Sequence, residues 1–298
     1  MTTIRPARKE DVEAAAELLN EHSRRLHGTD DVSAADLLQY WQSPDVELGR
    51  DILLAEGTDG LVGYADIGVH GDSVWLDVRG TDPEALSALL EAIEERGTAK
   101  EPDKNLWGYS SADDKPLVDL YESSGYRCVR HSFRMQIDLD REQPAPEWPD
   151  GFAVRTMHEG EERRVYDAQM ASFADTWMFA PDPYEGWLHW MVEEPSFDRS
   201  LWFLVEQDGD LAGIILSRAP ENEPGLGWVR ILGVLPAYRN HGLGQALLKH
   251  AFAEFASRGF KAVGLGVDAE NPTGAVRVYE RAGMHVERTN LIFERSKP

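Results

Sequence analysis

The 298-residue sequence predicts a mixed α/β (α+β) protein made of two tandem copies of one domain, each a mainly antiparallel sheet flanked by helices. Two observations predict it. The first is an ordered internal repeat. "IRPARKED" from Ile4 lines up with "VRTMHEGE" from Val154, and without a gap "LLAEGTDGLVGY" from Leu53 lines up with "FLVEQDGDLAGI" from Phe203. After a small change of offset, "LYESSGYRCVRHSF" from Leu120 matches "VYERAGMHVERTNL" from Val278. The second observation is a break between the copies, "DLDREQPAPEWPDGF", where Pro144, Pro146 and Pro149 exclude a helix and mark a linker. The expected division is therefore 1–140, a linker at 141–152, and 153–298.

Each element has a local cause. A short strand opens each copy and an acidic helix rich in alanine and leucine follows; Asp11 to Asn20 sets Val12, Ala16 and Leu19 on one face. A second helical region comes next, rich in aromatics in the second copy ("WMFAPDPYEGWLHWMVEE"). "WFLVEQDGDLAGIILSR" predicts a hairpin, two runs of strand formers turning at Asp208-Gly209. "WVRILGV" predicts the next strand, followed by a glycine loop and a helix from Leu243 to about Arg258. "KAVGLGVD" is another strand, "TGAVRVYERAG" a helix closing at Gly283, and "HVERTNLIFER" a last strand.

Composition narrows the function. Lysine and arginine total 30 against 53 acidic residues, a net charge of −23. Such a surface repels phosphate backbones, which disfavours nucleic acid as a partner, and it attracts cationic small molecules; it also serves solubility alone. No apolar run approaches the ~20 residues of a bilayer crossing, and the N-terminus lacks the apolar stretch of a signal peptide. No membrane association and a cytoplasmic location are expected. The single cysteine, Cys128, excludes an intrachain disulfide and reads as a plain strand thiol rather than a nucleophile. The nine histidines are scattered with no H-E-x-x-H spacing, so no metal is expected. Oligomeric state stays open between monomer and homodimer.

The chemistry concentrates in "GVLPAYRNHGLGQALLKHAF", from Gly233 to Phe252. A strand, a turn and a helix N-terminus present unpaired backbone N–H groups and the positive end of the helix dipole. Gly242 and Gly244 remove side chains that would block a phosphate, and Arg239 adds a positive charge, so a pyrophosphate is the natural guest. A dinucleotide fold needs a third glycine where Leu247 stands, and a nucleotidase loop needs a Gly-Lys-Ser/Thr that "GLGQA" lacks. The stretch resembles the pyrophosphate loop of the GNAT (GCN5-related) N-acetyltransferases, R-x-x-G-x-G after a strand that ends hydrophobic-x-hydrophobic-Pro. Downstream, "VDAENPTGAVRVYERAGM" resembles the second signature of that family, with Asn271, Ala275, Tyr279, Gly283 and Met284 in its places. The duplicated architecture resembles that of the mycothiol synthases within the superfamily, whose C-terminal half is catalytic and N-terminal half degenerate.

The resemblance implies acetyl-CoA as co-substrate and direct attack by the primary amine of a small molecule in a ternary complex. It places Arg239, Asn240, His241, Gly242, Leu243 and Gly244 at the pyrophosphate, and the backbones of Leu232, Gly233 and Val234 along the pantetheine. Asn271 and Ala275 fall on the cofactor side. Tyr279 matches the family's general acid, although packing alone also explains a tyrosine that recurs as Tyr121. The base stays open. The mycothiol synthases carry a glutamate where Trp228 stands here, and Glu206, Asp175 and Glu185 are the candidate carboxylates. Of Trp177, Phe179, Tyr184, Trp187 and Trp190, two or three are expected to wall the acceptor cleft. Trp228 suggests a bulky or aromatic amine, stacked rather than ion-paired. A non-catalytic acyl-CoA-binding or sensor protein is the alternative that the same loop permits.

Aligning Tyr121 with Tyr279 sets Thr81 opposite Arg239, Glu84 opposite Gly242, Leu86 opposite Gly244 and Asp113 opposite Asn271. Thr81 or Asp82 then becomes an N-cap, with Pro83 in the first turn. The first copy is expected to be a scaffold without a productive cofactor site.

Overall fold

The computed structural model describes residues 2–139, 143–144, 146–271 and 273–296. The first copy supplies β1 (Thr3–Pro6), α1 (Val12–His27), α2 (Ala34–Trp41), a short α3 (Leu48–Asp51), β2 (Ile52–Glu56), β3 (Leu61–His70) and β4 (Ser73–Gly80). It continues with α4 (Pro83–Lys100), β5 (Asn105–Ser111), α5 (Lys115–Ser123) and β6 (Arg127–Asp138). The second copy repeats the order: β7 (Phe152–Thr156), α6 (Glu162–Phe173), α7 (Tyr184–Met191), β8 (Trp202–Gln207), β9 (Asp210–Arg218) and β10 (Leu226–Val234). Then come α8 (Leu243–Ser257), β11 (Ala262–Asp268), α9 (Ala275–Arg281) and β12 (His285–Arg295). The expected hairpin turn is present, with φ of 52° at Asp208 and 90° at Gly209, the left-handed pair that a two-residue turn demands.

The compact units are Met1–His131 with Thr289–Pro298, and Ser132–Arg288. Residue 140 is thus not where the first unit ends: the chain leaves it within β6 and returns to it within β12. Strand pairing is the cause. Ser132–Asp138 of β6 pairs antiparallel with β11, and Asn290–Arg295 of β12 pairs antiparallel with β5. Each copy's last strand therefore completes the sheet of the other unit. Residues 140–142 and 145 of the linker region lie outside the described residues; the remainder up to β7 is irregular.

The first unit orders its strands β1-β2-β3-β4-β5-β12, the second β7-β8-β9-β10-β11-β6. Pairings are antiparallel except β4–β5 and β10–β11, which are parallel. In the second unit, alternation along β8 sends Phe203 and Val205 to a core under α8 and α9, and Trp202 and Leu204 to a core under α6 and α7. The first unit repeats this with Leu53 and Ala55 toward α4, and Ile52 and Leu54 toward α1 and α2. Each sheet is apolar on both faces, and each buried Leu, Ile or Phe contributes roughly 1.5–3 kcal/mol of transfer free energy. Among the described residues no helix is long and apolar enough to cross a membrane.

Candidate active site

The glycine loop opens where β10 ends. A 3-10 turn, Pro236–Tyr238, leads through Asn240 at φ 66° to Gly242 at φ 81°, the N-cap residue of α8. Gly242 needs to be glycine for its left-handed backbone, and Gly244 lies in open space, where an added Cβ would meet only Val278 Cγ1 at 3.7 Å. No side chain caps α8, so its first amides face outward without a carboxylate or hydroxyl of their own. They border a cleft of about 670 Å³ that Leu232, Val234, Asn240, Gly242, Gly244, Asn271, Ala275 and Tyr279 line.

Arg239 borders the larger cleft, and its guanidinium is also engaged within the chain. Its guanidinium bonds the Ser172 carbonyl at 2.9 Å, the Val234 carbonyl at 3.3 Å and both carboxylate oxygens of Asp175. The hydrogen bonds to Asp175 raise the arginine pKa and lower that of the carboxylate. Arg239 thus clamps the loop to the segment after α6, and Asp175 is held ionised in that clamp rather than left as a base. His241 is exposed and turns Nδ1 to the carbonyls of Tyr238 and Arg239, 3.2 and 2.9 Å away. Leu243 packs its side chain into the core under α8.

The second part of the site comes from parting strands. β10 pairs with β11 only from Leu226↔Ala262 to Val229↔Leu265, although both strands run on. Arg230 is a bulge: Val229 faces Ser217 and Ile231 faces Leu216 on β9, which leaves Arg230 as the extra residue. Beyond it the strand edge Leu232–Val234 loses β11 and lines the space between. A smaller cleft of about 200 Å³ occupies this opening, lined by Trp177, Arg230, Asp268, Gly266 and others. Phe173, Thr176, Leu232, Asn271 and Tyr279 line both clefts and so stand at their junction.

Tyr279 is buried, and burial pushes its phenol up to about 12, so it is a neutral hydrogen-bond and proton donor across the ordinary pH range. Among the described residues the phenol has no hydrogen-bond partner. Asn271 closes the turn before α9, its Oδ1 accepting from the Thr273 amide at 2.9 Å and hydroxyl at 2.5 Å. Arg230 donates to the Trp190 carbonyl at 2.7 Å and sits 2.9 Å from Glu194, a buried carboxylate that also meets Arg218 at 3.1 Å.

Several expected acceptor residues lie elsewhere. Glu206 joins Arg155, Glu161 and Arg164 in an ion network, 2.7 Å from Arg155 and 2.6 Å from Arg164. Those hydrogen bonds lower its pKa, and it lines neither cleft described. The first unit builds the same contact from Arg5, Asp11 and Glu56, which marks the network as part of the shared fold. Trp187 is fully buried in the core under α6 and α7, its indole bonded to Gln169 at 2.8 Å; Tyr184 stacks on it at 6.0 Å and lies outside both clefts. Glu185 is exposed on α7. Trp228 covers Gly264 and lies under the Arg134 guanidinium at 4.7 Å, and it lines neither described cleft. Of the aromatic group only Trp177 reaches a described cleft. Asp268, Arg230 and Thr176 were not expected there. A charged residue interrupting the apolar run "WVRILGV" was the available signal for Arg230.

A glycine loop before an uncapped helix, a strand that parts from its parallel neighbour and a buried tyrosine thus meet at two adjoining clefts of the second unit. Residues 163–284 match the model of the Acetyltransferase (GNAT) family. The chain is 32% identical to the mycothiol acetyltransferase of Streptomyces avermitilis over 94% of this chain and 90% of that one. It is 28% identical to the enzyme of the same name from Streptomyces coelicolor, over 98% and 97%. Among solved structures, a GCN5-related N-acetyltransferase from Sphaerobacter thermophilus is similar with a TM-score of 0.81 and 30% identity, covering 99% of this chain and 95% of that one. A tandem GNAT protein from the clavulanic acid biosynthesis pathway shares the fold, with a TM-score of 0.76, 15% identity and coverage of 99% and 98%. The chain belongs to the GNAT acetyltransferase family. It is an N-acetyltransferase of that family's tandem form.

Proposed function

We propose that the second unit transfers acetyl from acetyl-CoA to the primary amine of a small molecule within a ternary complex, and that the first unit is a scaffold. The carrying observation is the junction: the uncapped α8 loop opens one cleft, a second cleft holds a carboxylate, and Tyr279 lines both. The loop suits the co-substrate, because a built Cβ meets nothing within 4 Å at Gly242, and uncapped amides bind a pyrophosphate. Bound acetyl-CoA supplies an activated thioester. The backbones of Leu232, Gly233 and Val234 orient it along the free edge of β10, and Asn271 and Ala275 close the cleft beside it.

Asp268 holds the acceptor ammonium in the smaller cleft and takes its proton. The freed amine attacks the thioester carbonyl carbon, a C–N bond forms and the C–S bond breaks. Tyr279 gives its phenolic proton to the departing sulfur and regains one as the new amide nitrogen sheds its second proton, and Asp268 releases its proton to solvent. Asp268→Asn should lower kcat/KM roughly 10²-fold with CoA affinity unchanged, the scale of positioned acid–base catalysis.

For the acceptor, the precursor of mycothiol (an amino-sugar–inositol conjugate of cysteine) is favoured over a bulky aromatic amine. Trp228, the basis for an aromatic preference, packs away from the cleft, and Arg230 and Asp268 give the smaller cleft a polar lining. Two near-full-length relatives carry the mycothiol acetyltransferase name. Release of free thiol from acetyl-CoA, measured with the purified full chain against this precursor and an aromatic-amine panel, tests the reading. A protein that binds acetyl-CoA and turns over no amine is a sensor, and a higher kcat/KM for an aromatic amine would reverse the acceptor assignment.

A further inference from the structure

Ser172 lies in the last turn of α6, against β10. Its side chain is buried, 6% exposed as a residue, and among the described residues its hydroxyl has no hydrogen-bond partner. A buried unpaired hydroxyl costs free energy unless a bound molecule satisfies it. This one borders the larger cleft. It also sits over Gly233: a Cβ built there would come within 3.0 Å of both Cβ and Oγ of Ser172. The Ser172 carbonyl is held by Arg239 at 2.9 Å, so the serine backbone is anchored to the loop while its hydroxyl, packed over Gly233, stays unpaired.

The first unit shows the alternative at the same place. The ungapped alignment that sets Ile4 against Val154 and Leu53 against Phe203 sets His22 against Ser172. His22 is buried, its Nδ1 is 2.8 Å from the Gly80 carbonyl at the end of β4, and its Nε2 is 3.0 Å from Asp114. There a ring fills the space beside the strand and bonds its carbonyl. In the second unit a smaller side chain with an unpaired hydroxyl stands at that position.

We infer that the Ser172 hydroxyl is a binding group for the pantetheine arm of CoA, donating to one of its amide or hydroxyl oxygens as the arm lies along Leu232–Val234. The inference rests on the acetyl-CoA reading of this cleft. It separates Ser172 from the phosphate-binding loop, because Ser172 packs on α6 over Gly233 of β10 whereas Asn240 to Gly244 lie in the loop before α8.

Titration calorimetry on the full chain with two probes, CoA and 3′,5′-ADP, tests it; the second probe has the nucleotide and lacks the arm. Ser172→Ala should weaken CoA roughly 5- to 10-fold, the worth of one hydrogen bond, and leave 3′,5′-ADP within about twofold. Ser172→His, copying the first unit, should weaken CoA on the order of 100-fold or more and still bind 3′,5′-ADP. Unchanged CoA affinity in Ser172→Ala overturns the inference, and so does equal weakening of both probes, which would mean a disturbed loop. A wild-type chain that binds neither probe overturns the acetyl-CoA reading itself, an outcome separate from either variant result.

Discussion

Helices α4 and α8 occupy the same place in their units and end in opposite chemistry. Their buried faces correspond residue for residue, Ala85, Leu89, Leu90 and Ile93 with Leu243, Leu247, Leu248 and Ala251. At the N-terminus they diverge. Asp82 caps α4, its carboxylate accepting from the amides of Glu84 and Ala85 at 2.9 and 3.1 Å, with Pro83 in the first turn. A carboxylate of the chain itself thus takes the amides that α8 leaves open. Leu86, opposite Gly244, is buried and would meet a Cβ on Gly80 at 3.2 Å. The tyrosines diverge in the same way. Tyr121 is fully buried, stacked on Phe293 at 5.1 Å, with its ring filling the space over Gly108 and its hydroxyl donating to the Leu76 carbonyl at 3.3 Å. Gly266, at the corresponding place under Tyr279, has nothing within 4 Å of a built Cβ. β4 pairs with β3 without a shift, whereas β10 has the bulge at Arg230. One fold therefore carries a capped helix with filled positions in one unit and an uncapped helix beside open clefts in the other.

The largest expected effect comes from closing the open helix. Gly242→Glu should weaken CoA on the order of 10³-fold, because the side chain and its charge enter the anion site and the left-handed backbone at φ 81° is strained. Thermal unfolding within a few degrees of wild type would show that the loss is local; retained CoA affinity would refute the loop assignment. Tyr279→Phe should lower kcat roughly 10²-fold with little change in CoA affinity. Since the phenol titrates near 12, the wild-type activity should show no loss from tyrosine ionisation up to about pH 10. A variant as active as wild type across that range would remove Tyr279 from proton transfer.

A third experiment asks where the copies stay alike. Arg155 holds Glu161 at about 2, below its usual 4.5, chiefly through their side-chain hydrogen bonds, and Arg5 lowers Asp11 in the same way. A depressed carboxylate stabilises the fold above its unfolded pKa and loses that contribution as pH falls through its folded one. Glu161→Gln should therefore lower the melting temperature by several degrees at pH 7 and flatten its fall between pH 4.5 and 2. Asp11→Asn should do the same in the first unit, and a response in one unit alone would break the symmetry. The smallest effect is expected from uncapping α4. Asp82→Ala should cost about 1 kcal/mol, roughly 2–4 °C in Tm. It should gain no CoA binding, since Leu86 and Tyr121 still fill their places; a CoA titration that saturates a second site would show that the cap alone closes the first unit.

Much of this was legible in the residues because it is local. The repeat, the order of elements, the turn at Asp208-Gly209, the Asp82 cap and the glycine loop follow from short-range spacing, backbone preference and hydrogen bonding within a few residues. Tertiary structure alone decided the rest. Strand ends choose partners by register and burial across long stretches of chain, so nothing near Ser132 or Asn290 announces that β6 completes the second unit and β12 the first. A cation or an aromatic ring has several possible neighbours until the packing selects one, which is why Arg239 proved a clamp on Asp175, Trp187 a core residue and Asp268 a wall of the cleft. Ser172 is the sharpest case: an ordinary helix residue in sequence, it matters through Gly233, brought beneath it only by the folded sheet.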